Sequence, residues 1–217
     1  MSEEFTIDTT QNIIRSNQND NTDPFHNLPA SEWVQKQIDW RNKSQPSGFG
    51  LETVFNEHFG DKKIVGAEIG VCLAASTEHF MKNVPNIVKY FAIDSYPAYT
   101  DWNGADFNGE RQSLMKQYAL DVLQPYKDKI EFVYEDSVKF SQSVEDESLD
   151  FIFIDGDHSY EGFLKDLQSY FPKVKIGGVV SGDDVSIVAI RDVLQEFFKE
   201  KNVEIKTNNK MWHLVKE

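Results

Sequence analysis

The order of apolar and polar residues divides the chain into three parts. Residues 1–28 are polar and rich in Asn, Thr and Asp, which predicts a flexible N-terminal arm. Residues 29–60 show helical spacing of apolar positions and predict a short helical extension. Residues 61–217 alternate between short apolar runs and longer amphipathic stretches, so we expect one main domain there.

The extension predicts two helices, over 31–40 and over 51–59. Ser31 is the expected N-terminal cap of the first helix because a serine hydroxyl can accept a free backbone N–H group. The expected apolar anchors of that helix are Trp33, Ile38 and Trp40.

The main domain predicts an α/β fold. Strands are expected over 64–69, 88–93, 130–134, 149–154, 177–182, 203–206 and 211–216. Helices are expected over 75–83, 109–124, 160–171 and 186–200. This alternation predicts a doubly wound, Rossmann-like, seven-stranded and mostly parallel sheet with helices on both faces. The short link over 207–210 predicts that the last strand runs antiparallel.

Composition narrows the classes of function. The formal net charge of −14 disfavours nucleic acid and anionic membrane surfaces as partners. Cys72 is the single cysteine, so neither an internal disulfide nor a cysteine-rich zinc site is expected. No membrane-spanning run or signal peptide is evident, and an intracellular, cytoplasmic location follows by default.

The end of the first strand carries the first candidate site. Glu68 and Gly70 precede a run of small residues that includes Ala74, Ser76 and Thr77 and opens a helix. Small residues let a backbone approach a ligand closely. The run is not the GxGxxG sequence of nicotinamide cofactor domains, and the Glu68 carboxylate would repel a pyrophosphate. It suits a cationic ligand such as S-adenosylmethionine, whereas the alternative is a turn without a ligand.

Two further strands end in polar pairs. Asp94 and Ser95 end the second strand, where a carboxylate can bind the hydroxyls of a ribose. Asp136 and Ser137 follow the third strand and could bind an adenine edge, although both residue types also cap helices.

Asp155, Asp157 and His158 directly follow the fourth predicted strand, and Asp183 and Asp184 follow the next one. Because the ends of adjacent parallel strands lie close together, carboxylates from both can converge. Three such groups suit a hard divalent cation, Mg²⁺ or Mn²⁺. The alternative is an acidic loop cluster that only favours solubility.

With these motifs, residues 60–217 resemble class I S-adenosylmethionine-dependent methyltransferases, in the branch with an IDGDHSYEG-type motif. They are similar to metal-dependent O-methyltransferases that act on sugars or catechols. The resemblance implies Asp155, Asp183 and Asp184 as metal ligands and His158 as general base, with Asp157 as its rival. It implies cofactor contacts from Glu68, Gly70, Ala74, Ser76, Thr77, Asp94, Ser95, Asp136, Ser137 and Asp155. Relatives usually have glycine where this chain has Ala74.

The resemblance implies methyl transfer to a hydroxyl of a small molecule or glycan, with a sugar favoured over a phenol. Candidate substrate contacts are Tyr96, Tyr99, Trp102, Trp33 and Trp40. Two alternatives stay open at this point: a nicotinamide-dependent oxidoreductase, and a non-catalytic cofactor-binding protein of the same fold.

Overall fold

The structure is a computed structural model that describes residue 25 and residues 27–100, 106–201 and 203–217. The strands are β1 Ile64–Ile69, β2 Ile87–Ile93, β3 Tyr99–Thr100, β4 Asp106–Phe107, β5 Ile130–Val133, β6 Leu149–Ile154, β7 Val174–Gly182, β8 Lys206–Asn208 and β9 Met211–Val215. The helices are α1 Ala30–Arg41, α2 Leu51–Phe59, α3 Ala75–Asn83, α4 Gly109–Leu123, α5 Ser137–Ser141, α6 Tyr160–Tyr170 and α7 Val188–Phe198. None of the described helices is long and apolar enough to cross a membrane.

Seven strands form one sheet in the order β5-β2-β1-β6-β7-β9-β8. Neighbours from β5 to β7 pair in parallel, whereas β9 is antiparallel to both β7 and β8. The predicted α/β class is therefore confirmed. The chain winds outward from β1 to β5 and then returns to β6, so the strand order reverses between β1 and β6. In open α/β sheets, ligands bind at the strand carboxyl ends beside such a reversal.

Helices cover both faces of the sheet. One core packs α1 to α4 against the sheet and includes the fully buried rings of Trp33, Phe55 and Phe80. The other core packs α6 and α7 against the opposite face, around Phe163 and Leu194. The strands have residues buried on both faces, which explains their continuous apolar runs.

Two details of the predicted α1 are wrong. The helix begins at Ala30, because Pro29 is its N-cap and the Pro29 carbonyl accepts the N–H of Trp33 at 2.9 Å. Ser31 therefore lies inside the first turn and does not cap it. Trp40 is 68% exposed and is not an anchor, because it lies on the solvent side of the helix.

The remaining differences concern element bounds and short elements. Strand β7 begins at Val174, three residues before the expected start, and α7 spans Val188–Phe198 where 186–200 was expected. The strand expected over 203–206 is displaced to Lys206–Asn208, because a two-residue turn with Asn209 at φ 55° sets its pairing with β9. The two-stranded ribbon of β3 and β4 and the five-residue helix α5 were not predicted. Most of the predicted arm, residues 1–24 and residue 26, lies outside the described part of the chain.

An ion cluster around the buried carboxylate of Asp150 lies at the end of the sheet opposite the candidate site. Asp150 in β6 accepts hydrogen bonds from the ammonium groups of Lys62 at 2.8 Å and Lys175 at 2.9 Å, and from the Val65 N–H at 2.9 Å. Burial raises the pKa of Asp150, but these donors outweigh burial and leave the pKa below its ordinary value. The cluster therefore stabilises the fold above about pH 4 and loses its effect as the pH falls.

We expect Asp150→Ala to lower the free energy of unfolding by about 1–2 kcal/mol at pH 7, because it removes the buried acceptor of the Val65 N–H and of two partly exposed ammonium groups. Urea unfolding measures the change. The control is Asp146→Ala. The Asp146 side chain is 70% exposed, and the substitution removes its ion pair with Lys173. That exposed pair is expected to contribute less than about 0.5 kcal/mol. Equal losses in the two variants would contradict the prediction.

Candidate functional site

The parallel registers bring the carboxyl ends of β1, β2, β6 and β7 level with one another. Ile69 pairs with both Ile93 and Ile154, and Ile154 pairs with Gly182. The residues directly after these strands therefore lie side by side: Gly70, Asp94, Asp155 and Asp183. Backbone hydrogen bonds of 2.9 to 3.2 Å tie each of them to a neighbouring strand.

The turn after β1 has a left-handed backbone at three alternate residues: Gly70 at φ 91°, Cys72 at φ 50° and Ala74 at φ 59°. Gly70 has no alternative, because a Cβ atom there would lie 2.0 Å from the carbonyl oxygen of Asp155. Asp94 supports the turn, since its Oδ2 accepts the Cys72 N–H at 2.9 Å. The turn therefore combines close backbone packing with conformations that glycine tolerates best.

We expect Cys72→Gly to raise the free energy of unfolding by about 0.5–1 kcal/mol, because glycine removes the steric penalty of the left-handed backbone. Cys72→Val should lower it, since a β-branched side chain fits that conformation poorly. Thermal unfolding measures both changes. Cys72→Ala controls for loss of the thiol, and stabilisation by alanine equal to that by glycine would contradict the backbone argument.

Glu68 is fully buried at the end of β1, on the sheet face that packs against α3. Its carboxylate accepts hydrogen bonds from the hydroxyls of Ser76, Thr77 at 2.5 Å and Tyr90 at 2.9 Å. Burial raises the pKa of Glu68 to about 7, although these three hydroxyls act to lower it. The predicted cofactor contacts Glu68, Ser76 and Thr77 thus bind one another and join β1 to α3. A direct contact with the cofactor stays a prediction for each.

The other predicted cofactor residues follow β2 and β5. Asp94 accepts backbone N–H groups on both carboxylate oxygens, and burial raises its pKa despite them. Ser95 beside it is exposed. Asp136 caps α5 by accepting the Lys139 N–H at 2.9 Å, and the Ser137 hydroxyl donates to a carboxylate of α6. Their contacts with a ribose and an adenine stay predictions.

An acidic group lies at the ends of β6 and β7. The Nε2 atom of His158 is 3.4 Å from Asp155 Oδ1 and 3.2 Å from Asp184 Oδ2. One ligand atom from each of the three side chains lies within 4.8 Å of the others, which is close enough for all three to reach one metal ion. The pKa of Asp155 is raised to about 6, mainly by burial and to a smaller extent by the carboxylates of Asp183 and Asp184. The contact with His158 acts in the opposite direction. We call these three residues the Asp155–His158–Asp184 group.

The third predicted metal ligand, Asp183, is not in this group. Its Oδ1 accepts the backbone N–H of Asp184 at 2.6 Å, and its side chain is buried. Asp184 has a left-handed backbone at φ 57°, and His158 completes the group in place of Asp183. The structure thus brings together two of the three predicted ligands and adds the predicted base.

Local contacts explain the other residues of the motif. Asp157 is exposed and its Oδ1 accepts the Ser159 N–H at 2.8 Å. A Cβ atom on Gly162 would lie 2.2 Å from Asp157 Oδ2, so glycine lets Asp157 lie against α6. Ser159 caps α6 by accepting the Gly162 N–H. His158 is therefore not the cap of this helix, and its ring faces the two carboxylates instead.

The predicted aromatic contacts differ in accessibility. Trp33 is fully buried and packs edge-on against Phe107, so its ring is not accessible to a substrate. Tyr96 is also buried, and its hydroxyl donates to the Cys72 carbonyl at 2.8 Å. Tyr99 is 47% exposed and stacks on Phe107. Trp40 is exposed on α1, and Trp102 lies outside the described residues.

Two buried residues near the site were missed by the sequence reasoning. Tyr90 completes the hydroxyl shell of Glu68, and Asp166 in α6 accepts the Ser137 hydroxyl. Burial raises the pKa of Asp166 to about 6. Asp166 lies three residues after Phe163 and one before Leu167, on the apolar face of α6. This position in the sequence could have indicated that the carboxyl is buried.

A parallel sheet with this strand order, a small-residue turn after β1 and an acidic group after β6 are features that class I methyltransferases share. Residues 67–185, more than half of the chain, match the family model described as a methyltransferase domain. The chain belongs to that family and is an S-adenosylmethionine-dependent methyltransferase. No curated protein matches it in sequence.

Solved structures share the fold at low sequence identity. The O-methyltransferase NovP is 14% identical with a TM-score of 0.58, over 87% of this chain and 99% of NovP. The S-adenosylhomocysteine-bound methyltransferase PaMTH1 from Podospora anserina is 11% identical with a TM-score of 0.61, over 87% and 86%. CalS11, a TDP-rhamnose 3′-O-methyltransferase of calicheamicin biosynthesis, is 12% identical with a TM-score of 0.55, over 87% of each chain.

Proposed function

We propose that this methyltransferase transfers a methyl group to a hydroxyl of a small molecule or glycan, a sugar in preference to a phenol. The observation that carries the proposal is the Asp155–His158–Asp184 group beside the turn after β1. The O-methyltransferases among the similar structures, one of which acts on TDP-rhamnose, support a hydroxyl acceptor. The net charge of −14 argues against a nucleic acid.

The donor set of this group fits a divalent cation. Two carboxylates suit Mg²⁺ or Mn²⁺, and an imidazole is compatible with Mn²⁺. Burial, and to a smaller extent the neighbouring carboxylates, raise the pKa of Asp155, and a bound cation would favour its charged form. Asp155 and Asp184 would hold the cation. Asp183, the third ligand that the family resemblance implies, accepts the Asp184 N–H and would orient that residue. When bound, the cation would lower the pKa of the acceptor hydroxyl.

The residues of the chain have separable roles in this proposal. The turn from Gly70 to Ala74 binds the methionine end of S-adenosylmethionine, which supplies a methyl group on its sulfonium, and Asp94 binds the ribose. His158 accepts the acceptor proton, and the carboxylates of Asp155 and Asp184, which face its Nε2 atom, stabilise the resulting imidazolium. Alignment of the hydroxyl with the methyl group contributes much of the remaining rate.

Calorimetric titration with S-adenosylmethionine, with Mg²⁺ and then with a chelator, tests the cofactor assignment. We expect saturable binding in both conditions. Transfer of an isotope-labelled methyl group to glycosides and sugar nucleotides with vicinal diols, compared with catechols, then tests the acceptor class. Labelled product from the catechols alone would contradict the preference for a sugar, and no heat in either titration would contradict the cofactor assignment.

We expect His158→Ala to lower the rate of methyl transfer by about 10²–10⁴-fold, the usual contribution of a general base. Mn²⁺ affinity should stay within about threefold, because one nitrogen lone pair cannot bind a cation and accept a proton at once. His58→Ala, at an exposed histidine on α2, is the control. Unchanged turnover would remove His158 as the base and leave Asp157 as the candidate.

A further inference from the structure

Arg41, the last residue of α1, reaches from the N-terminal extension to the turn after β1. Its Nε donates to the Leu73 carbonyl at 2.9 Å, and its Nη2 donates to the Ala74 carbonyl at 3.1 Å. The same Nη2 pairs with Glu78 of α3 at 2.7 Å. The guanidinium lies 5.6 Å from the ring centre of Tyr118, and the side chain is only 10% exposed.

Arg41 contacts the turn after β1 at Ala74, a residue whose backbone conformation is unfavourable for a side chain with a Cβ atom. Ala74 is the N-cap of α3, has a left-handed backbone at φ 59° and ψ 33°, and has no side chain that could cap the helix. A residue with a Cβ atom adopts this conformation at a penalty of about 1–2 kcal/mol. A glycine would need no external restraint, whereas Ala74 is held by two donors, the N–H of Glu78 and the guanidinium of Arg41.

Only arginine can make this set of contacts. A guanidinium presents several N–H groups in a rigid plane, so it can bind two consecutive carbonyls and a carboxylate together. A lysine ammonium at the same position could keep the ion pair with Glu78, but it lacks the planar fork that spans both carbonyls. The bonds are charge-assisted and partly shielded from water, which makes them stronger than neutral ones.

We propose that Arg41 is a positioning residue for S-adenosylmethionine, holding the Leu73 and Ala74 peptides in the conformation that binds the cofactor. The inference rests on the proposed assignment of this turn to the cofactor. Arg41 does not itself touch the cofactor; it acts through the backbone of the turn. The N-terminal extension is then part of the cofactor site, and α1 does more than cover the sheet.

Calorimetric titration with S-adenosylhomocysteine, a non-reactive probe, tests the inference. We expect Arg41→Ala to weaken binding about tenfold and Arg41→Lys to give an intermediate value, since charge-assisted bonds of this kind carry an effect of that order. Glu78→Gln keeps both carbonyl contacts and should change the affinity by less than about twofold. Gln35→Ala, at an exposed residue of α1 that donates to Asp39 of the same helix, is the control for the extension.

A double-variant cycle separates positioning from general stability. Ala74→Gly removes the need for the restraint, so it should strengthen binding more in the Arg41→Ala background than in the wild type. A merely structural role for Arg41 would lower the melting temperature without this compensation. If Arg41→Ala does not fold, the Arg41→Lys variant with and without Ala74→Gly gives the same comparison.

The outcomes distinguish the two levels of the proposal. Weaker binding by the Arg41 variants with compensation by Ala74→Gly would support the inference. Wild-type affinity in both Arg41 variants, or weaker binding without compensation, would overturn it and leave the cofactor assignment intact. No binding by the wild type would overturn the cofactor assignment, and this inference with it.

Discussion

Asp155→Asn is expected to lower the rate of methyl transfer by about three orders of magnitude and to weaken Mn²⁺ binding by more than about tenfold. Asp155 belongs to the Asp155–His158–Asp184 group, and its Oδ1 lies 3.4 Å from His158 Nε2. An asparagine has nearly the same shape but no charge, so it removes the attraction for a cation and for a protonated imidazole at once. Asp184→Asn is expected to act in the same way.

Electron paramagnetic resonance titration with Mn²⁺ measures binding without knowledge of the acceptor. Labelled methyl transfer measures the rate once the screen has identified one. Asp183→Asn should have an effect at least about tenfold smaller than Asp184→Asn, because an amide oxygen can still accept the Asp184 N–H. Asp146→Asn, at an exposed residue, should change neither quantity. Unchanged Mn²⁺ binding in both the Asp155 and Asp184 variants would remove the proposed metal site.

The free energy of unfolding is expected to fall by about 2–3 kcal/mol between about pH 5 and pH 8 through Glu68 alone. The pKa of this carboxyl is about 7 in the folded chain against an ordinary value of 4.5, because the group is fully buried. A raised folded pKa means that the folded state holds the proton more tightly. The contribution is complete below about pH 4.5 and is lost as the pH rises through 7. It amounts to about 1.4 kcal/mol for each pH unit that separates the folded and unfolded pKa values.

Urea unfolding of wild-type protein and Glu68→Gln across this pH range measures the effect. The glutamine variant cannot titrate, so the difference between the two curves isolates Glu68 from other raised groups such as Asp155 and Asp166. Chelator is present so that no metal changes the carboxylates. Asp166→Asn is a matched control that removes a different buried carboxyl and should leave the Glu68 component in place. Parallel wild-type and Glu68→Gln curves would contradict the prediction.

Elements with strong local patterns were predicted closely. The bounds of β1, β6, α2 and α3 agree with the expectation residue for residue. The strands are buried on both faces and are bounded by turn residues, and the helices show regular apolar spacing, so each pattern is contained in one window of sequence. The two-residue strands β3 and β4 and the single-turn helix α5 are too short to carry a period.

The general place of the site was also predictable. A parallel sheet brings the carboxyl ends of its strands to one edge, so Gly70, Asp94 and Asp155 had to lie near one another once the strands were assigned. The exact membership of the acidic group was not predictable. Asp183 and Asp184 are adjacent in sequence, but the left-handed backbone at Asp184 and the bond from its N–H to Asp183 decide which carboxylate reaches His158.

Side-chain partners across elements were beyond the sequence pattern as well. Glu68 was expected at the cofactor surface, whereas it lies buried among hydroxyls from α3 and β2. Arg41 carried no signal, because its partners are backbone carbonyls 32 and 33 positions away. Contacts of this kind depend on how α1 packs on the sheet, and a single sequence does not record that packing.

The sequence by itself determined the fold class, the methyltransferase character and the loops that carry the site, since these follow from local periodicity and from motifs within short segments. Only the tertiary structure decided that His158 faces Asp155 and Asp184, that Glu68 is buried and that Arg41 supports the turn after β1. The physical reason is distance along the chain: backbone preferences act over a few residues, whereas these contacts join segments that meet only when the helices pack on the sheet.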